Sequence, residues 1–278
     1  MSAPKISMFY DRKPCPRAEV LFESFVAGTA SVTGWRSTGL IRYQVRGIVR
    51  ASVAGALTRI DFEIPFGVGV SYWAEQFDSA GVSLGETAKT TVKFNVKETW
   101  VHNPLDPQGA TTVEFRSQAA RSLVQPVEGE IVHPEGRRVG VMVSGQRRGF
   151  ENVDLTVVTD SLTQVDLLQA MFGTPERRMP PILCFRVGAD DRIRLPRPFF
   201  AAVTQPAEID VNYAIGTGEQ ITTEMSGTEV SPPAPGIFIP LLTRADINAF
   251  YPTRAAVNAD NPSRLSVNRR YDLIGAAS

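Results

Sequence analysis

The sequence has few of the residues that build metal sites and disulfide frameworks. It contains two cysteines and two histidines among 278 residues. Cys15 and Cys184 lie far apart, which favours two reduced thiols over a bridge. No cysteine or second histidine stands at ligand spacing from His102 or His133. We therefore expect no bound metal, no other cofactor, and histidines that lie on the surface or in turns.

Long apolar runs are also missing. No stretch of about 18 consecutive apolar residues occurs, so no segment is predicted to span a bilayer. The first ten residues lack the apolar core of a secretory signal, which needs roughly 7–15 such residues. The sequence predicts a protein that is made in the cytoplasm and has no membrane partner.

Neither sign of charge is in excess. Lys and Arg total 29, Asp and Glu total 29, and the formal net charge is zero. A nucleic-acid binder needs surplus cations to displace the counterions of the phosphates, so this balance argues against a nucleic-acid partner, sequence-specific or not. The 22 Gly and 20 Pro separate short apolar runs, which favours many turns over long helices.

Catalytic patterns are not found either. The Gly-x-Gly pairs at residues 67–69 and 216–218 resemble pieces of a phosphate-binding loop, but neither is followed by the Lys-Ser/Thr pair. Ser144 is not part of a Gly-x-Ser-x-Gly elbow. No histidine lies near Cys15 in sequence, which argues against a nucleophilic thiol. We predict no catalytic residues and no enzyme activity.

The first third of the chain contains repeated two-residue alternation. Residues 41–45, 60–64 and 92–96 each place apolar side chains at every second position, with turn signals between the runs. Ile60, Phe62 and Ile64 share one face of their run, and we expect Val92, Phe94 and Val96 to point inward. The pattern is typical of a β-sandwich of the immunoglobulin or fibronectin type III kind.

The middle of the chain predicts a second β-rich domain with one helix. Strand-like alternation at 139–143 and 153–157 precedes a helical pattern that Ser161 can cap. A sheet with one helix across it favours a split-barrel-like arrangement. Residues 103–109 hold two prolines and a glycine, which predicts a stiff, mostly non-regular connector before this domain.

The last segment begins with a proline-rich spacer at residues 231–236. Thr243 can cap a short helix that has Asp246 at its third position. Overall we predict a mainly β protein in three parts: a β-sandwich domain over 1–102, a split-barrel-like domain over 103–230, and a C-terminal arm with a short helix over 231–278.

Two patches are candidates for a subunit interface. Gly145 and Gly149 bracket a turn that projects Arg147 and Arg148, whose planar guanidinium groups pair well with carboxylates. The arm carries apolar side chains with too few neighbours in sequence to bury them, which marks an interaction surface. These arm residues are Leu242, Ile247, Phe250, Tyr251 and Tyr271.

Several short motifs are distinctive as a set. They lie at residues 100–107, 127–130, 134–137, 143–149, 194–198, 253–258 and 268–271. Together they resemble minor tail proteins of long, non-contractile-tailed phages that infect actinobacteria, and the similarity extends over about residues 14–276.

The resemblance implies a structural virion protein at the distal end of the tail. Residues 139–187 are similar to the ring-forming domain of distal tail proteins, which join the tail tube to the adsorption apparatus. We therefore expect a homo-oligomeric ring, with six copies as the first choice and three as the second. Its expected partners are the tail tube and other tail-tip proteins, and its expected location is the tail tip. The family has no catalytic residues to transfer.

Two other functions stay open. The sandwich could be a receptor- or carbohydrate-binding tail module, for which Trp35, Tyr72 and Trp73 are the aromatic candidates. Because Tyr72 and Trp73 are neighbours in a strand, they point to opposite faces, and we expect at most one in the core. A tail-associated hydrolase would need a paired acid and base, which no local motif supplies.

Overall fold

The computed structural model describes residues 2–39, 41–173, 175, 178–210, 219–237, 242–268, 270, 273 and 276–277. Strands dominate these residues, so the prediction of a mainly β protein is confirmed. The strands of the N-terminal part are β1 (Lys5–Phe9), β2 (Arg17–Phe22), β3 (Ser31–Thr38), β4 (Ile41–Gln44), β5 (Ala51–Ser52), β6 (Leu57–Asp61), β7 (Gly69–Phe77), β8 (Ser83–Glu86) and β9 (Thr90–Lys93).

In the described residues, one helix lies between the fifteenth and sixteenth strands, and three more helices follow the last strand. The strands are β10 (Thr99–Asn103), β11 (Asp106–Phe115), β12 (Val127–Val132), β13 (Val141–Arg147), β14 (Val153–Asp154), β15 (Val157–Thr159), β16 (Ile182–Arg186), β17 (Phe199–Val203), β18 (Ala207–Asp210), β19 (Ile221–Glu224) and β20 (Ser226–Glu229). The helices are α1 (Leu162–Ala170), α2 (Arg244–Phe250), α3 (Arg254–Asp260) and α4 (Arg264–Asn268). Among the described residues, no helix has the length and apolar character needed to cross a membrane.

The chain divides into two compact units. The first contains Met1–Val96, Pro104–Ala110 and Pro233–Ser278, and the second contains Lys97–Asn103 and Thr111–Pro232. The predicted domain boundaries at 102/103 and 230/231 stay a prediction.

The first unit contains a β-sandwich. One sheet has the order β1-β2-β6, and the other has the order β4-β3-β7-β8 with β5 on β3 and β9 on β7. Apolar side chains from both sheets are buried. Phe94 and Val96, which follow β9, are buried as predicted, and Val92 is half-buried. The expected sandwich is confirmed.

The run at residues 60–64 does not bury its apolar face alone. Ile64 is buried, but so are Asp61 and Glu63 of the other face, whereas Ile60 and Phe62 are only half-buried. Two carboxylates face the interior because a buried arginine of the opposite sheet, Arg36, lies there to receive them.

Arg36 is the centre of a charged network inside the sandwich. Its guanidinium donates to Asp61 Oδ1 at 2.5 Å and to Glu63 Oε2 at 2.9 Å. The Tyr72 hydroxyl donates to Asp61 Oδ2 at 2.8 Å. Burial by itself lowers the pKa of Arg36, but the carboxylates of Asp61 and Glu63 raise it above its ordinary value, so the side chain stays charged. The network links β3 and β7 of one sheet to the end of β6 in the other.

Tyr72 and Trp73 are both buried, at 0% and 1% exposure. The expectation that at most one of them is in the core is therefore wrong. Tyr72 faces the charged network, whereas Trp73 is covered on its own side by Arg42 and Lys89, whose cations lie 5.0 and 4.3 Å from its ring centroid. Long cationic side chains thus bury a ring that would otherwise face solvent.

The second unit is built on a nine-stranded sheet. Its order is β14-β20-β17-β16-β10-β11-β15-β19-β18. The predicted helix is confirmed as α1, in which the Ser161 side chain accepts a hydrogen bond from the Gln164 N–H. Val165 and Leu168 are the buried residues of α1, and Leu168 belongs to a core that includes Phe185 and Phe199.

The predicted connector at residues 103–109 is wrong. β10 and β11 are neighbours in the nine-stranded sheet, and only a short turn after Asn103 separates them. Pro104 lies in that turn, and Pro107 is the second residue of β11, near a strand start, where a missing N–H is best tolerated. The two prolines therefore shape a β-hairpin.

The described residues of the C-terminal arm form three short helices, where the sequence predicted one. The capping box of α2 is confirmed: the Asp246 N–H donates to Thr243 Oγ1 at 3.2 Å, and the Thr243 N–H donates to Asp246 Oδ2 at 2.8 Å. Thr253 caps α3 in a similar way through the Ala256 N–H.

Candidate functional site

β12 and β13 form a separate two-stranded sheet, which we call the ribbon. Within the described residues, neither strand pairs with a third. Every residue of both strands is exposed. The turn between them is closed by the Arg137 N–H, which donates to Pro134 O at 3.1 Å, and it includes Gly136 at a φ of 80°.

The ribbon carries apolar side chains on both faces. Glu130 pairs with Val143 and Val132 pairs with Val141, so these four residues share one face, which we call the valine face. Ile131 and Met142 are paired on the opposite face. The three valines are 40–60% exposed, and Ile131 and Met142 are 61% and 54% exposed. One packing contact can cover only one face of a two-stranded ribbon. Because both faces carry apolar side chains, an apolar face stays exposed even when the other is covered.

The two predicted interface arginines lie at the end of the ribbon. The predicted turn between Gly145 and Gly149 is wrong, because Gly145 and Arg147 belong to β13 and the strand continues through them to pair with β12. Arg147 is the last residue of β13 and is exposed. The Arg148 guanidinium pairs with Glu128 of the same ribbon and lies 3.9 Å from Glu151. These partners are exposed, so the pairs contribute little to stability. Arg148 therefore already has carboxylate partners within its own chain.

The predicted interface residues of the arm have different surroundings. Phe250 is 54% exposed, while Leu242 and Ile247 are half-buried. Tyr251 is buried, and its hydroxyl is hydrogen-bonded to Asp260 and Arg270. Tyr251 therefore belongs to the interior of the arm. Tyr271 lies outside the described residues.

A pocket of about 430 Å³ lies among the helices of the arm, and we call it the arm pocket. Its apolar side chains include Ile247, Val257 and Val267, which are half-buried. Arg244 and Arg254 also line it and are exposed. The pocket thus combines an apolar surface with two positive charges.

The start of the arm is held on the sandwich by a proline-rich segment, residues 233–237, which we call the strap. Arg46 makes the main contacts: its Nε donates to Glu63 Oε1 at 2.8 Å, and its two terminal nitrogens donate to three carbonyl groups of the strap at 2.8–3.1 Å. These carbonyl groups belong to Pro233, Ala234 and Ile237. The Gly47 N–H donates to Pro235 O at 2.9 Å. Glu63 therefore connects the strap to the buried network of Arg36.

Replacing Arg46 by Met is expected to release the strap. The change removes three hydrogen bonds to the strap, each worth about 0.5–1.5 kcal/mol, while Glu63 keeps its contact with Arg36. If the bound strap loses about 2 kcal/mol of stabilisation, the fraction of molecules with the strap released increases roughly thirtyfold. Limited proteolysis of the full chain, followed by mass spectrometry, should show faster cleavage within residues 231–237.

The matched control is Lys5→Met, which removes an exposed pair with Glu23 on the same sandwich. Its cleavage pattern should match that of the wild type. Equal cleavage of the strap in the Arg46 and Lys5 variants would show that Arg46 does not hold it.

The histidine and cysteine residues form no site that we can assign. Cys15 and Cys184 are buried, and neither forms a disulfide. His102 is buried in β10 opposite Cys184, so the expected surface or turn position is wrong: its strand lies in the middle of the nine-stranded sheet. Across the residues described, no three His, Cys, Asp or Glu side chains are grouped to hold a metal ion.

Sequence reasoning missed the valine face and the arm pocket. The alternation at 139–143 correctly predicted a strand, but the same pattern is typical of a strand that buries its apolar side. The sequence did contain a signal. In the segment that pairs with this strand, residues 127–132, the neighbours Ile131 and Val132 are both apolar and must point to opposite faces.

Comparison with protein-family models found no match for this chain. Comparisons with curated proteins and with solved structures found none either.

Proposed function

We propose that this chain is a structural protein of a phage tail, located at its distal end, where copies form a ring that joins the tail tube to the adsorption apparatus. The role is mechanical and involves no catalysis. The similarity of the short sequence motifs to minor tail proteins suggested the location, and the ribbon is the observation that carries the proposal.

The ribbon supports assembly for a physical reason. A two-stranded hairpin alone is marginally stable in water, and this one leaves six apolar side chains at least 40% exposed. Exposed strand edges with apolar faces also promote uncontrolled association unless a partner covers them. A closed assembly solves both problems. The neighbouring copy covers each ribbon, which stabilises the hairpin and leaves no apolar face open to uncontrolled association.

A receptor- or carbohydrate-binding role is the alternative, and it has less support. Sugar-binding sheets present aromatic rings to solvent, but Tyr72 and Trp73 are buried. Trp35 is half-buried, with Arg42 4.9 Å from its ring centroid. We therefore place the structural role first.

Mass photometry and negative-stain electron microscopy of the purified full chain test the proposal. The expected result is a closed ring of six times the 30.4 kDa monomer, with three copies as the second choice. A chain that stays monomeric at micromolar concentration and binds a glycan array would support the alternative and contradict the ring.

A further inference from the structure

We propose that the arm pocket of one copy receives the valine face of the ribbon of the next copy. This inference rests on the proposed ring and specifies how its subunits meet.

The valine face presents one negative charge among apolar groups. Glu130 lies beside Val143 and on the same face as Val132 and Val141. Among the described residues, none forms an ion pair with Glu130. A partner surface must therefore offer apolar contact for the three valines and a cation for the carboxylate.

The arm pocket has the complementary composition. Ile247, Val257 and Val267 supply apolar surface, and Arg244 and Arg254 supply the cations. Neither arginine forms an ion pair with any residue that the structure describes.

The acidic side chains that the structure describes near the arm pocket are already engaged. Asp246 is buried and serves the capping box of α2, and Asp260 pairs with Arg270 at 2.5 Å. The pocket therefore keeps its positive character in the assembled arm.

The two surfaces favour a head-to-tail contact. If two ribbons met through their valine faces, both copies of Glu130 would lie in one interface, and like charges there oppose association. Contact between a ribbon and an arm pocket instead joins opposite charges. Because the two patches differ, each copy offers one of each, which is the requirement for a closed ring.

Mixing two assembly-defective variants of the full chain tests this contact directly. The ribbon variant carries Val132→Thr, Val141→Thr and Val143→Thr, and the arm variant carries Arg244→Glu and Arg254→Glu. All five positions are exposed, so both variants should keep the fold, with the wild-type circular dichroism spectrum. Each variant alone should be monomeric. A mixture should form a one-to-one dimer, because the ribbon variant keeps an intact pocket and the arm variant keeps an intact ribbon.

A charge exchange gives a second readout. Glu130→Arg in an otherwise wild-type chain should weaken assembly at least about tenfold, since it places three cations together. Combining Glu130→Arg with the two arm substitutions should restore the ring.

The outcomes separate this inference from the proposed function. If both the wild type and the arm variant form rings, the inferred contact is wrong, while the proposed ring still holds. A mixture that stays monomeric while the wild type forms rings would also overturn it. A wild-type chain that forms no oligomer at all would overturn both.

Discussion

Asp61→Asn should destabilise the unit that contains the sandwich by about 3–5 kcal/mol, the usual effect of removing one partner of a buried ion pair. The side chains of Arg36 and Asp61 are each 1% exposed, so water cannot replace the lost charge. Glu63 would remain, but it already neutralises Arg46. The variant therefore leaves a buried cation without full compensation. Urea unfolding followed by tryptophan fluorescence measures the effect.

The matched control is Glu86→Gln, which makes the same amide-for-carboxylate exchange in the Arg42–Glu86 pair. That pair is about half exposed on both sides, so its loss should cost less than about 1 kcal/mol. Equal destabilisation by the two variants would mean that the buried network does not hold the two sheets together.

The ribbon variant, with its three valines changed to threonine, should lose the ring while it keeps its fold. Threonine has nearly the shape of valine and favours strands equally well, so the isolated ribbon should persist. In an interface, each hydroxyl without a partner costs about 1–3 kcal/mol. Three of them should weaken each contact by at least about 3 kcal/mol, or roughly a hundredfold. Sedimentation velocity over a concentration series measures this change.

Val26→Thr with Val82→Thr is the control for this variant, since both valines are exposed, at 38% and 60%, and lie outside the ribbon. The control chain should assemble like the wild type. If the ribbon variant also forms rings at wild-type concentrations, the ribbon is not the contact that assembles them.

The fold class could be predicted because local patterns determined it. Alternation at 92–96 predicted which side chains are buried, and the Thr243 and Ser161 caps predicted where helices begin. Each of these signals depends on residues only a few positions apart.

The run at 60–64 shows where such patterns fail. Local hydrophobicity favours Ile60 and Phe62 in the core, but Arg36, more than twenty residues away, draws Asp61 and Glu63 inward. Tyr72 then faces the same network. A pairing between two sheets is not encoded in the spacing of either strand.

The candidate site was predicted less completely. The sequence drew attention to Arg147 and Arg148 but placed them in a turn, whereas Arg147 ends β13. It also drew attention to the arm through Ile247 and Phe250. It could not show that Arg148 is paired within its own ribbon or that the valine face is exposed. Both facts depend on which strands pair and on what the rest of the chain leaves uncovered.

Electron microscopy of virions labelled with an antibody against this chain tests the proposed location most directly. The sample should be native particles that carry the full-length protein. We predict gold label confined to the distal end of the tail, at the junction with the adsorption apparatus, and particles without tails when the gene is deleted. Label on the head or along the whole tail, or unlabelled particles with normal tails, would contradict a tail-tip ring.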